Sequence, residues 1–105
     1  VVIKVTQAAA RQINEAARQG GSEGLALRLA ATRKPDQSLD YQMGFDERKE
    51  ADVHITSEGI DIVVAQQYRV LLEGTLLDYV ELEPGDWRFI FMNPNDANYT
   101  PPQEE

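Results

Sequence analysis

Apolar positions change their period several times along this 105-residue chain, and those changes predict its elements. Val2 to Val5 is a short β-type run leading into a helical pattern. Thr6 is placed to cap that helix, its hydroxyl accepting from a free backbone N–H of the first turn. Ala9, Ile13, Ala16 and Ala17 fall on one helical face, with Arg11, Gln12, Asn14 and Arg18 mostly off it. Gly20-Gly21 ends the helix, because glycine enters the left-handed conformation without a Cβ penalty. From Leu25 the period becomes two: Leu25, Leu27 and Leu29 alternate with Ala26, Arg28 and Ala30 as a half-buried strand. Arg33-Lys34-Pro35-Asp36-Gln37-Ser38 is a polar loop broken by proline. Leu39, Tyr41, Met43 and Phe45 alternate again, and Asp46 to Asp52 is a mixed-charge loop.

Val53 and Ile55 predict a short strand that Ser57-Glu58-Gly59 turns back into Ile60, Ile62 and Val64 as a hairpin. Gln66 to Leu72 suits one or two helical turns, stopped at Glu73-Gly74. Leu76 to Leu82, a turn at Glu83-Pro84-Gly85-Asp86, and the run to Phe91 predict a second hairpin. Trp87, Phe89 and Phe91 are expected on one buried face of its last strand. After Asn93-Pro94-Asn95 the alternation stops, and Asp96 to Glu105, with two adjacent prolines and two terminal acids, reads as loose. These elements make an α+β domain that is mainly β, set at residues 1–98, with a flexible tail at 99–105.

Composition narrows the function classes. The hydrophobic fraction of 42% and charged fraction of 27% are those of a globular domain. A net charge of −8 argues against a nucleic-acid duplex as partner, since phosphate binding needs clustered Lys and Arg. The chain contains no cysteine, so no disulfide, thiolate nucleophile or thiolate metal site is available within it. No apolar run is long enough to cross a bilayer, and the start lacks a signal-peptide pattern, so a cytoplasmic protein is expected.

Candidate chemistry is sparse. His54 is the only imidazole, which excludes a His-rich metal site; between Val53 and Ile55 it reads as a surface strand residue. Asp46, Glu47, Glu50 and Asp52 lack the alternation and central glycine of a calcium loop. Glu81 and Glu83 share a strand face without a partner that marks either as acid or base. Gly20-Gly21 closes a helix instead of opening one, so no phosphate loop is present. Arg28, Arg33 and Lys34 form the one basic cluster in the sequence. A non-enzymatic protein is expected.

Several blocks together carry a family resemblance. Val5-Thr6-Gln7-Ala8-Ala9-Ala10, Leu25-Ala26-Leu27-Arg28-Leu29 and Tyr41-Gln42-Met43-Gly44-Phe45-Asp46 come first. Ile60-Asp61-Ile62-Val63-Val64, Leu72-Glu73-Gly74-Thr75-Leu76-Leu77-Asp78-Tyr79-Val80 and Phe89-Ile90-Phe91-Met92-Asn93-Pro94-Asn95 follow. In order and spacing, over residues 2 to 95, they resemble the A-type iron–sulfur carriers (HesB/IscA-like). That resemblance implies a compact, sheet-rich domain with an N-terminal helix packed on it. It also implies three cluster-binding cysteines, one in a "GCSG" loop and two in a C-terminal "CGC".

Counting from the matched blocks places those cysteines at Asp36, Thr100 and Pro102. Carboxylate, hydroxyl and a proline ring do not replace thiolate as cluster ligands, so no cofactor and no metal are expected. A cysteine-free member of this kind resembles the carrier-like proteins of the dissimilatory sulfur-oxidation (Dsr) system. The resemblance therefore implies an accessory or regulatory role that acts through contacts with cytoplasmic proteins. Arg33, Lys34, Asp36 and Tyr41 in the first region, and Asn95 and Tyr99 in the second, are the candidate contact residues. The competing reading is an iron-handling protein using oxygen ligands such as Asp36 and Asp40. Without shared clusters, and with like charge on every copy, a monomer is expected.

Overall fold

A computed structural model describes residues 2–97. Strand β1 (Ile3–Val5) runs into helix α1 (Gln7–Gly20) through Thr6, whose Oγ1 accepts from the Ala9 N–H at 3.1 Å. Gly21 closes the helix at φ 71°, and the Ser22 N–H reaches back to Ala17 O. Both ends of the helix are thus set by the residues the pattern marks. Its buried face is Ala9, Ala10, Ile13 and Ala17; three of the four are alanines, which lets the helix backbone lie close to the sheets.

Among the described residues, seven strands form two sheets. β6 (Thr75–Glu83) is central in the first, flanked by β1 in parallel and β7 (Asp86–Met92) antiparallel. The second has the order β3 (Leu39–Asp46), β2 (Ala26–Arg33), β5 (Ile60–Val64) and β4 (Val53–Ser57). β2 and β5 pair in parallel, while β2–β3 and β4–β5 are antiparallel hairpin partners. The β4–β5 turn needs only Glu58 and Gly59, both at positive φ (50° and 77°), which is the requirement of a tight primed turn.

The inner faces of both sheets meet α1 in one core. Ile3, Val5, Ile13, Leu27, Leu29, Ile62, Val64, Leu72 and Leu77 are all buried there. Each such side chain stabilises the fold by about 1.5–3 kcal/mol relative to exposure. Val63 is also buried, although it points to the opposite face from Ile62 and Val64; β5 is an interior strand, with Arg28 and His54 beside Val63 in the flanking strands. The expected mainly-β domain with one N-terminal helix is the architecture found.

Five local expectations need correction. Trp87 is 51% exposed, because β7 is an edge strand whose first residues project beyond the core; its ring stacks on Tyr79 at 5.5 Å. Phe89 and Phe91 share its side of the strand but are only half-buried. Leu25 precedes its strand and is exposed, while Ala26 and Leu27 begin β2. Arg33 ends β2 instead of starting the loop, pairing with Leu39 across the hairpin. The segment after β5 contracts to one 3-10 turn, Gln66–Tyr68. His54 is exposed on β4, as its alternation implies, with Nε2 3.2 Å from Lys49 O.

Candidate functional site

The region that the resemblance marks is the end of the molecule where hairpin β2–β3 turns and β7 runs out. The turn is tight: Gln37 N–H donates to Lys34 O at 2.9 Å, and Lys34 N–H donates to Ser38 O at 2.8 Å. Closing it puts Gln37 at φ 73°, a left-handed backbone that a non-glycine residue adopts at a cost of about 1–2 kcal/mol. Two side chains offset that strain. Arg33 donates from Nη1 to Gln37 O at 2.7 Å. Asp36 Oδ1 accepts from the N–H of buried Ser38 at 3.0 Å and from its Oγ at 2.5 Å. The Ser38 hydroxyl, followed by its backbone N–H, pulls the Asp36 carboxyl below its ordinary pKa.

The segment after β7 is fastened to this turn. Asn93 is fully buried, its Nδ2 donating to Leu71 O at 2.6 Å and its Oδ1 accepting from Asn95 N–H at 2.9 Å. Asn95 Nδ2 donates to Glu73 O at 2.9 Å, so the Asn-Pro-Asn stretch locks against the loop preceding β6. Pro94 lies against Gly74, where φ is 82° and an added Cβ would come 3.2 Å from Pro94 Cγ. Arg33 then links the two segments, its Nη2 donating to Asn95 O at 3.1 Å. Asp96 makes a second link: Oδ2 accepts from Tyr41 Oη at 2.8 Å and Oδ1 from Leu39 N–H at 3.3 Å. Beneath them Tyr41 and Phe91 stack face to face, centroids 4.3 Å apart with 4° between planes. Burial, with the Asp96 carboxylate adding to it, holds the Tyr41 phenol well above its ordinary pKa.

The structure therefore brings Asn95 to the hairpin that carries Arg33, Asp36 and Tyr41, 62 residues from Arg33 in the chain. Lys34 is exposed at the rim. Tyr99, Thr100 and Pro102 lie outside the described residues. Asp96, read from the sequence as the start of a loose stretch, is instead a principal tie of this end. Its signal was faint: an acid directly after Asn-Pro-Asn resembles any other turn residue. The predicted basic cluster is not one cluster. Arg28 is the third residue of β2 and Arg33 its last, about 16 Å apart at strand rise. Arg28 instead binds Asp52 at 2.6 Å and 3.0 Å, Asp46 at 2.6 Å and Glu47 O at 3.0 Å.

The donor set does not suit an iron–sulfur cluster. The chain offers no thiolate, and the carboxylate at the first marked position is engaged by Ser38. Among the described residues no three His, Asp or Glu side chains converge as a metal cage would require. What the arrangement does hold is a stitched surface in which carbonyl, hydroxyl and carboxylate groups join two distant segments.

Comparison with known proteins places this geometry. Residues 1–97 match the family described as iron-sulphur cluster biosynthesis. The chain is 31% identical to the iron-sulfur cluster insertion protein ErpA 2 of Methylococcus capsulatus, covering 89% of this chain and 72% of that protein. It is 32% identical to ErpA of Francisella tularensis subsp. novicida over 89% of this chain and 80% of the relative. Among solved structures it resembles IscA with the [2Fe-2S] cluster, with TM-score 0.75 and 26% identity over 91% of this chain and 88% of that one. It also resembles Escherichia coli SufA, involved in biosynthesis of iron-sulfur clusters, with TM-score 0.70 and 26% identity over 89% and 86% of the two chains.

Proposed function

The chain belongs to the iron-sulphur cluster biosynthesis family, and we propose that it is a member that has given up cluster and iron binding and works through protein contacts. In this reading it is non-enzymatic and serves as an accessory or regulator in bacterial sulfur oxidation. The observation that carries the reading is the stitching of the Arg33 end. Family cysteines implied at the loop and at the C-terminal segment would bring those segments together around a cluster. Here Arg33 and Asp96 tie the β2–β3 turn to the Asn95-Asp96 stretch by hydrogen bonds, with no thiolate involved. A scaffold that keeps this end assembled without its cargo retains a surface for recognition. Arg33, Lys34, Tyr41 and Asn95 present that surface. The sulfur-oxidation setting is supported by the resemblance to the cysteine-free carrier-like proteins of the Dsr system.

No helix of the described residues is long and apolar enough to cross a membrane, and the proposed partners are other proteins. Anaerobic incubation of the purified chain with iron and sulfide tests the first half of the proposal. The protein should stay colourless and metal-free after desalting. A stable visible chromophore with stoichiometric iron overturns it, and colourless protein holding one iron would establish the oxygen-ligand reading instead. Deleting the gene and following growth on reduced sulfur tests the second half: unchanged oxidation rates would remove the regulatory role.

A further inference from the structure

Strands β1 and β4 are each the edge of a sheet, and the two edges lie near one another. The Val5 N–H donates to Ser57 Oγ at 3.1 Å and tacks one edge to the other. Beside this tack a hollow of about 550 Å³ opens between them, walled by residues 2–4 on one side and 55–58 on the other. The main-chain groups on each wall follow from the pairing. Gly74 N–H donates to Val2 O at 2.7 Å and Thr6 N–H to Leu77 O at 3.0 Å, so Val2, Lys4 and Thr6 turn their main-chain groups toward β6. Ile3 and Val5 turn theirs the other way, as the Val5 bond to Ser57 requires. The Ile3 N–H and C=O have no partner among the described residues, although Ile3 is only 2% exposed. Nearly all main-chain groups so placed in folded proteins are paired. On the facing wall, the two-residue turn makes Ser57 and Ile60 the hydrogen-bonded pair that closes the β4–β5 hairpin. Thr56 therefore directs its N–H and C=O away from β5, on the side of the hollow.

These walls select the occupant. A ligand that meets main-chain donors and acceptors must carry both along its own length, which an extended polypeptide does and a helix, with its groups bonded internally, does not. Lys4 and Glu58 stand exposed at the rim with opposite signs, so charge favours neither an acidic nor a basic segment. Ile3 and the half-buried Ile55 lie on the core side, whereas Lys4 and Thr56 are exposed on the other. We propose that the hollow takes an extended segment of a partner protein as an added strand, apolar where it faces the core and polar at the alternate positions. Residues 2–4 span about 10 Å at strand rise, so about three residues of the partner pair there. So short a pairing is weak, with Kd of order 1 mM for an isolated peptide. The inference is separate from the reading of the Arg33 end and stands whether or not that end binds iron.

The probe is the peptide acetyl-Thr-Val-Thr-Val-Thr-amide, titrated to about 5 mM into the intact chain at about 0.1 mM and followed by amide NMR. Shifts should cluster at Ile3, Lys4, Thr56 and Ser57. The same peptide N-methylated at every residue keeps the side chains but loses the main-chain donors, and its binding should fall at least about tenfold. Thr56→Pro removes an N–H that the β5 pairing does not use, a change that edge strands tolerate, and should weaken the unmodified peptide by about fivefold or more. Were that variant unfolded, the N-methylated peptide on the unsubstituted chain would still decide the matter. An absence of shifts at the highest peptide concentration overturns the proposal, as does equal binding by the N-methylated peptide or by folded Thr56→Pro. Shifts clustered away from β1 and β4 place the contact elsewhere and overturn it too. Shifts at these residues on concentrating the chain without peptide would make the occupant a second copy, with the same consequence.

Discussion

Strand β2 ends in an arginine-fastened loop on each side, and the two fasteners are built differently. Arg28 meets carboxylates: Asp52, whose side chain is only 5% exposed, and Asp46. The Asp52 hydrogen bonds, ahead of opposing desolvation, raise the guanidinium pKa, and the same bonds depress Asp52 to about 2. Arg33 meets only backbone carbonyls, of Gln37 and Asn95, and makes no ion pair among the described residues. Its end is held by the Tyr41–Phe91 stack together with the hydrogen bonds of buried Asn93. One arginine is consumed in closing a mixed-charge loop; the other organises a turn and keeps its charge. The second arrangement leaves an exposed cation on the turn that carries Asp36, the first position marked by the family resemblance.

The contrast can be broken by substitution. Phe91→Ala should have the largest effect, since it removes the stack under the Arg33 end. The usual range for deleting a phenylalanine in a core is about 3–5 kcal/mol, and a half-buried ring belongs below it, at about 2–3 kcal/mol. Urea unfolding measures this, and a change under about 0.5 kcal/mol would show that packing does not hold this end. Arg28→Ala should follow at about 2 kcal/mol, the scale of hydrogen bonds to charged groups. If that variant lost nothing, the 46–52 loop would be fastened by something other than charge.

Acid sharpens the same comparison. Because folding lowers the Asp52 pKa from the ordinary 3.8 to about 2, its contribution is fully present above about pH 4. It is lost as pH falls through about 2. Asp52→Asn should therefore flatten the acid limb of stability, and an unchanged limb would assign that limb to other carboxylates. Arg33→Ala should have the smallest effect, under about 1 kcal/mol, because its acceptors are exposed carbonyls. Its signature is local: faster amide hydrogen exchange at Gln37 and Asn95, with the exchange around Asp52 untouched. A loss as large as that of Arg28→Ala would make the two fasteners equivalent and end the distinction.

What could be read from the residues and what could not divide along a physical line. Local chemistry was decisive for Thr6 and Gly21, because a cap is completed by backbone within a few residues. The Glu58-Gly59 turn was equally plain, since tight hairpins need positive φ at adjacent positions. The ordered blocks from Val5 to Asn95 carried the family, and the absence of cysteine removed the thiolate ligands on which a cluster depends. Alternation, however, names a face without saying whether anything covers it. Trp87 obeys the same period as Phe91 but stands at the open end of an edge strand. Leu76, Val80, Ile90 and Met92 are as apolar as core residues, yet they lie on the side that the helix does not reach. Arg28 and Arg33 look alike as cations five residues apart, and only folding gave one to Asp52 and the other to Gln37 and Asn95. Parallel pairing of β1 with β6 and of β2 with β5 joins segments far apart in the chain. No local pattern encodes such pairings; they arise when distant apolar faces compete for the same core.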